Sequence, residues 1–515
     1  MSFEPFTPRD LQQMASMGLA PEEAARQLGL FRHPPPHTRV LRPCRLGDGI
    51  RTIPPSAHAA LLDRHAAALR EDRLGKLVPA SGAATRMFRD LLAFLAAPAG
   101  AELPAAARAF FDNLDRFAFR DDLAAALAAD GIDLAGAVRS GDLQLVLRYL
   151  LADAGLGYAE LPKGLLLFHR YPEGARTPFE EHLVEAAAVA CGADGLCRLH
   201  FTVSPEHREK FEELLGRVRP VYEERLGCRF EVSFSSQHHA TDTLAVDLQN
   251  RPFRLADGSL LFRPGGHGAL LENLNALGRA GWDVVFLKNV DNVVPDSRKP
   301  AVHLWKRLLG GCLLSLRDRI FALLEHLEDR QPRPSALAEA AELLENELSR
   351  PLPPSFAGAA GDERRRFLIA ALDRPLRVCG VVRNQGEPGG GPFWVGASSG
   401  EVSPQIVEIS QIDANDPDQR AILAASTHFN PMDIAGVLRD RRGRPYDLDR
   451  YVDPETVFIA EKHYEGRPLK ALERPGLWNG AMAGWNTVFV EVPDATFAPV
   501  KTVLDLLRPE HQGDY

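Results

Sequence analysis

Apolar residues along this chain recur with two periods that take turns. Runs with strand character stand at 164–169 (GLLLFH), 198–203 (RLHFTV), 229–234 (RFEVSF) and 282–290 (WDVVFLKNV), and stretches with helical spacing fall at 179–190 and 205–215. This rhythm predicts an α/β fold in which a mixed, mainly parallel sheet is flanked by helices. In such sheets ligands bind beyond the carboxyl ends of the strands. Two Ala- and Leu-rich blocks at about 89–157 and 302–350 have helical spacing throughout and read as helical insertions, the second a hairpin broken at Gln331-Pro332-Arg333-Pro334. Strand patterns return at 376–383, 405–409 and 487–492, with a flexible stretch over 386–392 and a closing helix over 500–507. Residues 1–65 carry short helical stretches around the break HPPPH and no core strand. The expected organisation is an N-terminal helical extension (1–65), a core (66–400) interrupted by the two insertions, and a C-terminal part of that core (401–515).

Composition changes this picture little. At 515 residues two or three lobes are expected, and 45% hydrophobic with 25% charged residues is ordinary for a globular chain. No apolar run is long enough to span a membrane, and the first residues, MSFEPFTPRD, lack the pattern of a secretory signal. The net charge of −9 gives no general attraction to nucleic acid or anionic lipid. Cys44, Cys191, Cys197, Cys228, Cys312 and Cys379 form no C-x-x-C pair, so reduced thiols in a cytoplasm are expected.

Five segments carry candidate chemistry. The first, Ser81-Gly82-Ala83-Ala84-Thr85-Arg86, joins a short apolar run to a helical region. Small residues let backbone N–H groups approach phosphate oxygens, and Arg86 can clamp one; an ordinary Ala/Gly turn has the same composition. The second, Pro162-Lys163-Gly164, holds a lysine at a turn as a point charge for phosphate or as a solvated surface group. The third, Pro264-Gly265-Gly266-His267-Gly268, precedes a helix and either admits a flat ligand or is a tight turn with His267 structural. The fourth, Asn289-Val290-Asp291-Asn292, ends a very apolar strand, where Asp291 suits a hard cation or starts a turn. The fifth, Pro499-Val500-Lys501-Thr502, presents a lysine that either snorkels or reaches an anion.

In this order the segments resemble the UDP-sugar pyrophosphorylase family, and over its whole length the chain looks like a bacterial group of DUF4301 type. The family's G-G-x-G-T-R-[LM], P-K-G, P-G-G-H-G, N-V-D-N and P-V-K-T pieces are similar to the segments at 81–87, 162–164, 264–268, 289–292 and 499–502. Gly380-Val381-Val382, Val407-Glu408-Ile409-Ser410 and His428-Phe429-Asn430 resemble further family pieces. Ser81 and Ala84 replace two loop glycines, a long insertion separates Arg86 from Lys163, and the chain ends soon after Leu507, without the C-terminal β-helix of several relatives.

The resemblance implies a GT-A/Rossmann-like fold and a Mg2+-dependent nucleotidyltransferase that joins a nucleoside triphosphate, UTP by family weight, to a sugar 1-phosphate. It implies Arg86, Lys163 and Lys501 as catalytic cations and Asp291 as the metal ligand. Ser81, Gly82, Ala83, Ala84, Thr85, Gln237, Gly265, Gly266 and Gly268 would contact the nucleotide, and Asn289, Glu408 and Asn430 the sugar. A GT-A-like glycosyltransferase using a nucleotide sugar and a non-catalytic nucleotide-sugar-binding protein are the alternatives. Partners are the two small substrates; neither nucleic acid nor membrane is expected.

Overall fold

The alternating pattern is realised as an α/β fold with a mainly parallel sheet flanked by helices. It is seen in a computed structural model that describes residues 6–71, 74–98, 100–329, 333, 335–386, 389–397 and 400–513. The chain divides into two units, each assembled from separate stretches. The first comprises Met1–Arg64, Gln237–Val285 and Leu309–Val492, and the second His65–Ser236, Phe286–Leu308 and Pro493–Tyr515.

In the second unit, strands Leu74–Pro79, Leu196–Thr202 and Arg229–Ser235 pair in parallel, and the end of Val284–Lys288 lies beside the first of them. Helices Pro178–Val189 and Arg208–Leu226 pack on these strands through Phe179, Phe201, Phe211 and Phe230. The first helix starts cleanly because Thr177 and Glu180 form a capping box and Pro178 presets its first turn. The second stops at Gly227, whose φ of 65° ends the helix in the left-handed region.

The same unit contains the block of helices Arg89–Leu95, Ala105–Asp112, Arg120–Ala129, Leu134–Ser140 and Leu143–Leu151, with no strand among the described residues of 89–157. Its core is aromatic. Phe110 and Phe117 have ring centroids 4.9 Å apart, and Phe117 stacks on Phe119 at 5.0 Å. Each buried ring of this kind contributes about 1.5–3 kcal/mol. Val500, Val503 and Leu506 belong to this cluster, so the end of the chain is packed against the helical block.

The first unit holds strands Arg45–Leu46, Gly49–Arg51, Asn486–Glu491 and Leu376–Arg383 in parallel, with His428–Val437 added antiparallel. A three-stranded antiparallel sheet (Val40–Pro43, Gly390–Gly396, Val402–Glu408) and a four-stranded one (Phe262–Arg263, Thr243–Val246, Arg467–Glu473, Phe458–Tyr464) complete it.

Three local expectations are corrected. The run at 164–169 is not a strand: Lys163–Leu165 forms one 3-10 turn, and the strand begins at His169. The segment 500–507 is not an α-helix; Val503–Leu507 is a 3-10 turn capped by Thr502 and Asp505. Both are short apolar runs in which local bonds close a single 3-10 turn, Leu166 N–H to the Lys163 carbonyl and Asp505 N–H to the Thr502 carbonyl, and runs this short do not let periodicity choose between strand, helix and turn. Residues 1–65 contain strands as well as helices. The expected helix break at Gln331, Pro332 and Pro334, and part of the flexible stretch at 387–388, lie outside the described residues. Among the described residues no helix is long and apolar enough to cross a membrane, and no cysteine forms a disulfide.

Candidate functional site

The strand Leu74–Pro79 delivers the chain into the small-residue loop, and hydrogen bonds from a distant segment hold that loop. The Ala84 N–H donates to the Leu161 carbonyl at 3.0 Å and the Lys163 N–H to the Gly82 carbonyl at 3.3 Å. Ala83 lies opposite Pro162 in an isolated bridge. Ala84 is buried, whereas Ser81, Gly82, Ala83, Thr85 and Arg86 are exposed. Thr85 Oγ1 donates to the Ala159 carbonyl at 3.3 Å. The loop is thereby tied to Pro162-Lys163 although the whole helical block intervenes in sequence.

Lys163 extends the connection. Its Nζ lies 2.6 Å from Asp291 Oδ2 and 2.5 Å from the Val500 carbonyl. The Val500 N–H donates to the Asp291 carbonyl at 3.2 Å, and the Ala498 N–H to Asn292 Oδ1 at 3.0 Å. Lys501 follows directly; its N–H and that of Thr502 donate to Asp505 Oδ2 at 2.8 and 2.7 Å, which fixes the direction of this turn. Gly164 packs closely here: a Cβ would stand 3.0 Å from the Phe211 ring and 3.1 Å from Val290 Cγ2, so a larger residue would push on both. Four of the five sequence segments therefore meet in one hydrogen-bonded cluster within the second unit. Asn289 sits there too, half-buried, its carbonyl accepting from the Asn292 N–H at 3.2 Å.

The remaining candidates lie in the first unit, where the 265–268 turn and Glu408 are linked through the segment 474–479. The Arg474 N–H donates to the Gly265 carbonyl at 2.9 Å, and its Nε to the Thr241 carbonyl at 2.9 Å. Gln237 Nε2 reaches Asp242 Oδ1 at 3.3 Å. A Cβ on Gly268 would stand 2.1 Å from the Pro475 carbonyl, and Gly266 has a φ of 73°, so this turn needs its glycines for its own packing. His267 stacks on Trp478 at 4.0 Å and accepts from the Leu477 N–H; burial pushes it down to about 4. Trp478 and Asn479 donate in turn to Glu408, whose carboxyl burial pushes above the usual range. Asn430 is buried; its Oδ1 accepts from the Met432 N–H at 3.1 Å, and its Nδ2 has no protein partner among the described residues.

The sequence matches the family described as "Domain of unknown function (DUF4301)" over residues 7–512. The chain belongs to the DUF4301 family. No curated protein matches it in sequence. Among solved structures, it is similar to the UDP-glucose pyrophosphorylase of Leishmania major at 13% identity, covering 98% of this chain and 78% of that one with a TM-score of 0.45. The UDP-N-acetylglucosamine pyrophosphorylase of Trypanosoma brucei, solved with an inhibitor, gives 12% identity, 98% and 80% coverage and a TM-score of 0.48. A UDP-glucose phosphorylase of Trypanosoma brucei gives 14%, 97%, 77% and 0.43.

Beneath Asp291 this DUF4301 chain buries a layer of charge that sequence reasoning missed. His182 Nε2 donates to the Val290 carbonyl at 3.1 Å, and Lys299 Nζ donates to the Val294 carbonyl at 3.0 Å. Lys299 also pairs with Glu181 and, at 2.7 Å, with Asp296. One turn along the helix, Glu185 receives Lys76 at 2.8 Å and Lys288 at 2.7 Å, with Lys306 at 3.7 Å. Burial, with Lys306 and Lys288 adding repulsion, pushes Lys76 down to about 7 against the pull of Glu185. Against the upward push of burial, Lys299 and His169 hold Glu181 at about 2. The signal available in sequence was Glu181 and Glu185 four residues apart on a helix that also buries Phe179, Leu183 and Ala186. Among the described residues, no group of three or more His, Cys, Asp or Glu side chains could hold a metal ion.

Proposed function

We propose that this chain is a sugar-1-phosphate nucleotidyltransferase: it makes a nucleotide sugar, a UDP-sugar by resemblance, and pyrophosphate from a nucleoside triphosphate and a sugar 1-phosphate. The observation that carries this reading is the meeting of the 81–86 loop, Lys163, Asp291 and the 499–502 turn, far apart in sequence, around the Lys163–Asp291 ion pair. A phosphate oxygen of the sugar phosphate attacks the α-phosphorus in line. The bond from that phosphorus to the bridging oxygen breaks, and pyrophosphate leaves with the electron pair. Such transfer needs alignment and charge neutralisation more than an acid or base.

Asp291 fits a hard cation of the kind that takes one carboxylate and completes its shell with water and substrate phosphates, since its Oδ2 already holds an ammonium at 2.6 Å. Mg2+ held there would supply neutralisation of the triphosphate charge. Lys163 would place its charge on the triphosphate side, anchored by the Val500 carbonyl. Arg86, exposed on the loop, would clamp the leaving pyrophosphate. The Ala84 N–H is engaged by Leu161, so phosphate oxygens would meet the exposed Ser81, Gly82, Ala83 and Thr85. Lys501 would bind the phosphate of the sugar. In the first unit Gln237 and the 265–268 turn would face the base, and Glu408 and Asn430 would take sugar hydroxyls; the spare Nδ2 of Asn430 supports that role. Asn289, on the second unit, is a further candidate for a sugar contact.

The test is a panel of nucleoside triphosphates and sugar 1-phosphates with Mg2+, read by pyrophosphate release. Release dependent on both substrates is expected. Sugar transfer from a finished nucleotide sugar without pyrophosphate would point to the glycosyltransferase reading. Stabilisation by a nucleotide sugar with no turnover on any pair would point to a binding protein.

A further inference from the structure

A cavity of about 600 Å3 lies wholly within the first unit, a size ordinary for small-molecule sites. Of the candidate nucleotide and sugar residues, only Gly268 lines it. Leu271, Val452, Pro454, Val457 and Leu472 give it an apolar wall, and Glu23, Arg26, Glu272, Asp449 and Arg474 bring charge.

Most of that charge is already committed. Glu23 accepts from Arg26 Nε at 2.7 Å and Nη2 at 2.8 Å, and also from Gln27 Nε2 at 2.9 Å. Glu272 pairs with Arg279. Two opposite charges are left over. The Arg474 guanidinium is oriented by the Thr241 carbonyl at 2.9 Å and the Ala240 carbonyl at 3.4 Å, and it forms no ion pair among the described residues. Asp449 accepts from Asn275 Nδ2 at 2.9 Å and likewise forms no ion pair there. A half-buried cation and an exposed carboxylate, each set by neutral hydrogen bonds and each within the other's field, offer complementary charges on the lining of one cavity. Burial, with Asp447 and Glu272 nearby, raises the Asp449 carboxyl above its usual range, the behaviour of a site that favours an added positive charge.

We propose that this cavity binds a free amino acid with an apolar side chain, its carboxylate on Arg474, its ammonium on Asp449 and its side chain against the wall formed by Leu271, Val457 and Leu472. A phosphorylated ligand is disfavoured because only one guanidinium is uncommitted, while three carboxylates surround the space. A purely apolar ligand would leave both charges desolvated and unpaired.

Thermal unfolding and calorimetric titration of the full chain with leucine, methionine and phenylalanine test this without any nucleotide. Failure here therefore leaves the transferase reading untouched, and loss of transferase activity leaves this site untouched. At millimolar concentration at least one of the three should raise the Tm by about 2 °C or more. Leucinamide, which lacks the carboxylate, and N-acetyl-leucine, which lacks the ammonium, should not reproduce the effect. Arg474→Gln and Asp449→Asn should each weaken binding by at least about tenfold. No response to any of the three amino acids overturns the proposal. So does an equal response to leucinamide, or a variant of either residue that is folded and binds as the wild type does.

Discussion

The two regions that carry the candidate residues are built on different physics. In the second unit, Arg86, Lys163, Asp291 and Lys501 sit on loops held by long-range backbone hydrogen bonds, above a buried layer of lysines and glutamates. In the first unit, Gln237, the 265–268 turn, Glu408 and Asn430 are neutral or burial-shifted groups, positioned by tight glycine contacts and the stack of His267 on Trp478. The first arrangement suits the moving charge of a phosphoryl group; the second suits recognition by shape and hydrogen bonding. Substitutions in the charged region should therefore act on rate, and those in the packed region on folding or affinity.

The sharpest way to break this contrast is Asp291→Asn. The change keeps the shape but removes the charge that meets Lys163, and turnover should fall about a hundredfold or more. Turnover near the wild-type value at limiting Mg2+ would remove Asp291 from the site. Gly268→Ala probes the packed region, where the new Cβ would meet the Pro475 carbonyl at 2.1 Å. It should cost about 1–3 kcal/mol of stability, seen as a lower Tm. Gly82→Ala meets nothing within 4 Å and should leave Tm unchanged, so any loss of triphosphate affinity in that variant reports on the loop itself.

Lys501→Ala should lower kcat/KM for the sugar phosphate at least about tenfold, with a much smaller change for the triphosphate. Lys501→Arg should rescue poorly, because a forked head does not replace a point charge. Equal damage to both substrates would assign Lys501 to the triphosphate or to folding. The buried layer makes a pH prediction. Lys76 is pushed from its ordinary 10.5 down to about 7, so between these values the unfolded chain binds more protons and stability rises with pH. Below about pH 7 both states carry the proton and the full cost of the buried charge is present. Lys76→Met, which still leaves Glu185 with Lys288 and Lys306, should gain on the wild type as pH falls from 10 to 7, by at most about 1.4 kcal/mol per unit. Parallel Tm–pH curves for the two proteins would show that Lys76 does not titrate in this window.

What the sequence determined by itself is local. The β–α rhythm over 164–290 gave the α/β class because period-two and period-3.6 patterns are properties of neighbouring residues. The five motifs were legible because each is a short run with distinctive small or charged residues. Tertiary structure alone decided that Gly82, Lys163, Asp291 and Val500 share one set of hydrogen bonds, since each partner lies far along the chain. It also decided that Leu166 to Phe168 pack as irregular backbone instead of a strand, their runs being too short for period to choose. The inward charges of Lys76, Glu181, Glu185 and Lys288 were hidden for the same reason. A polar residue is ordinarily read as exposed, and only the placement of its counter-charge from another element reverses that reading.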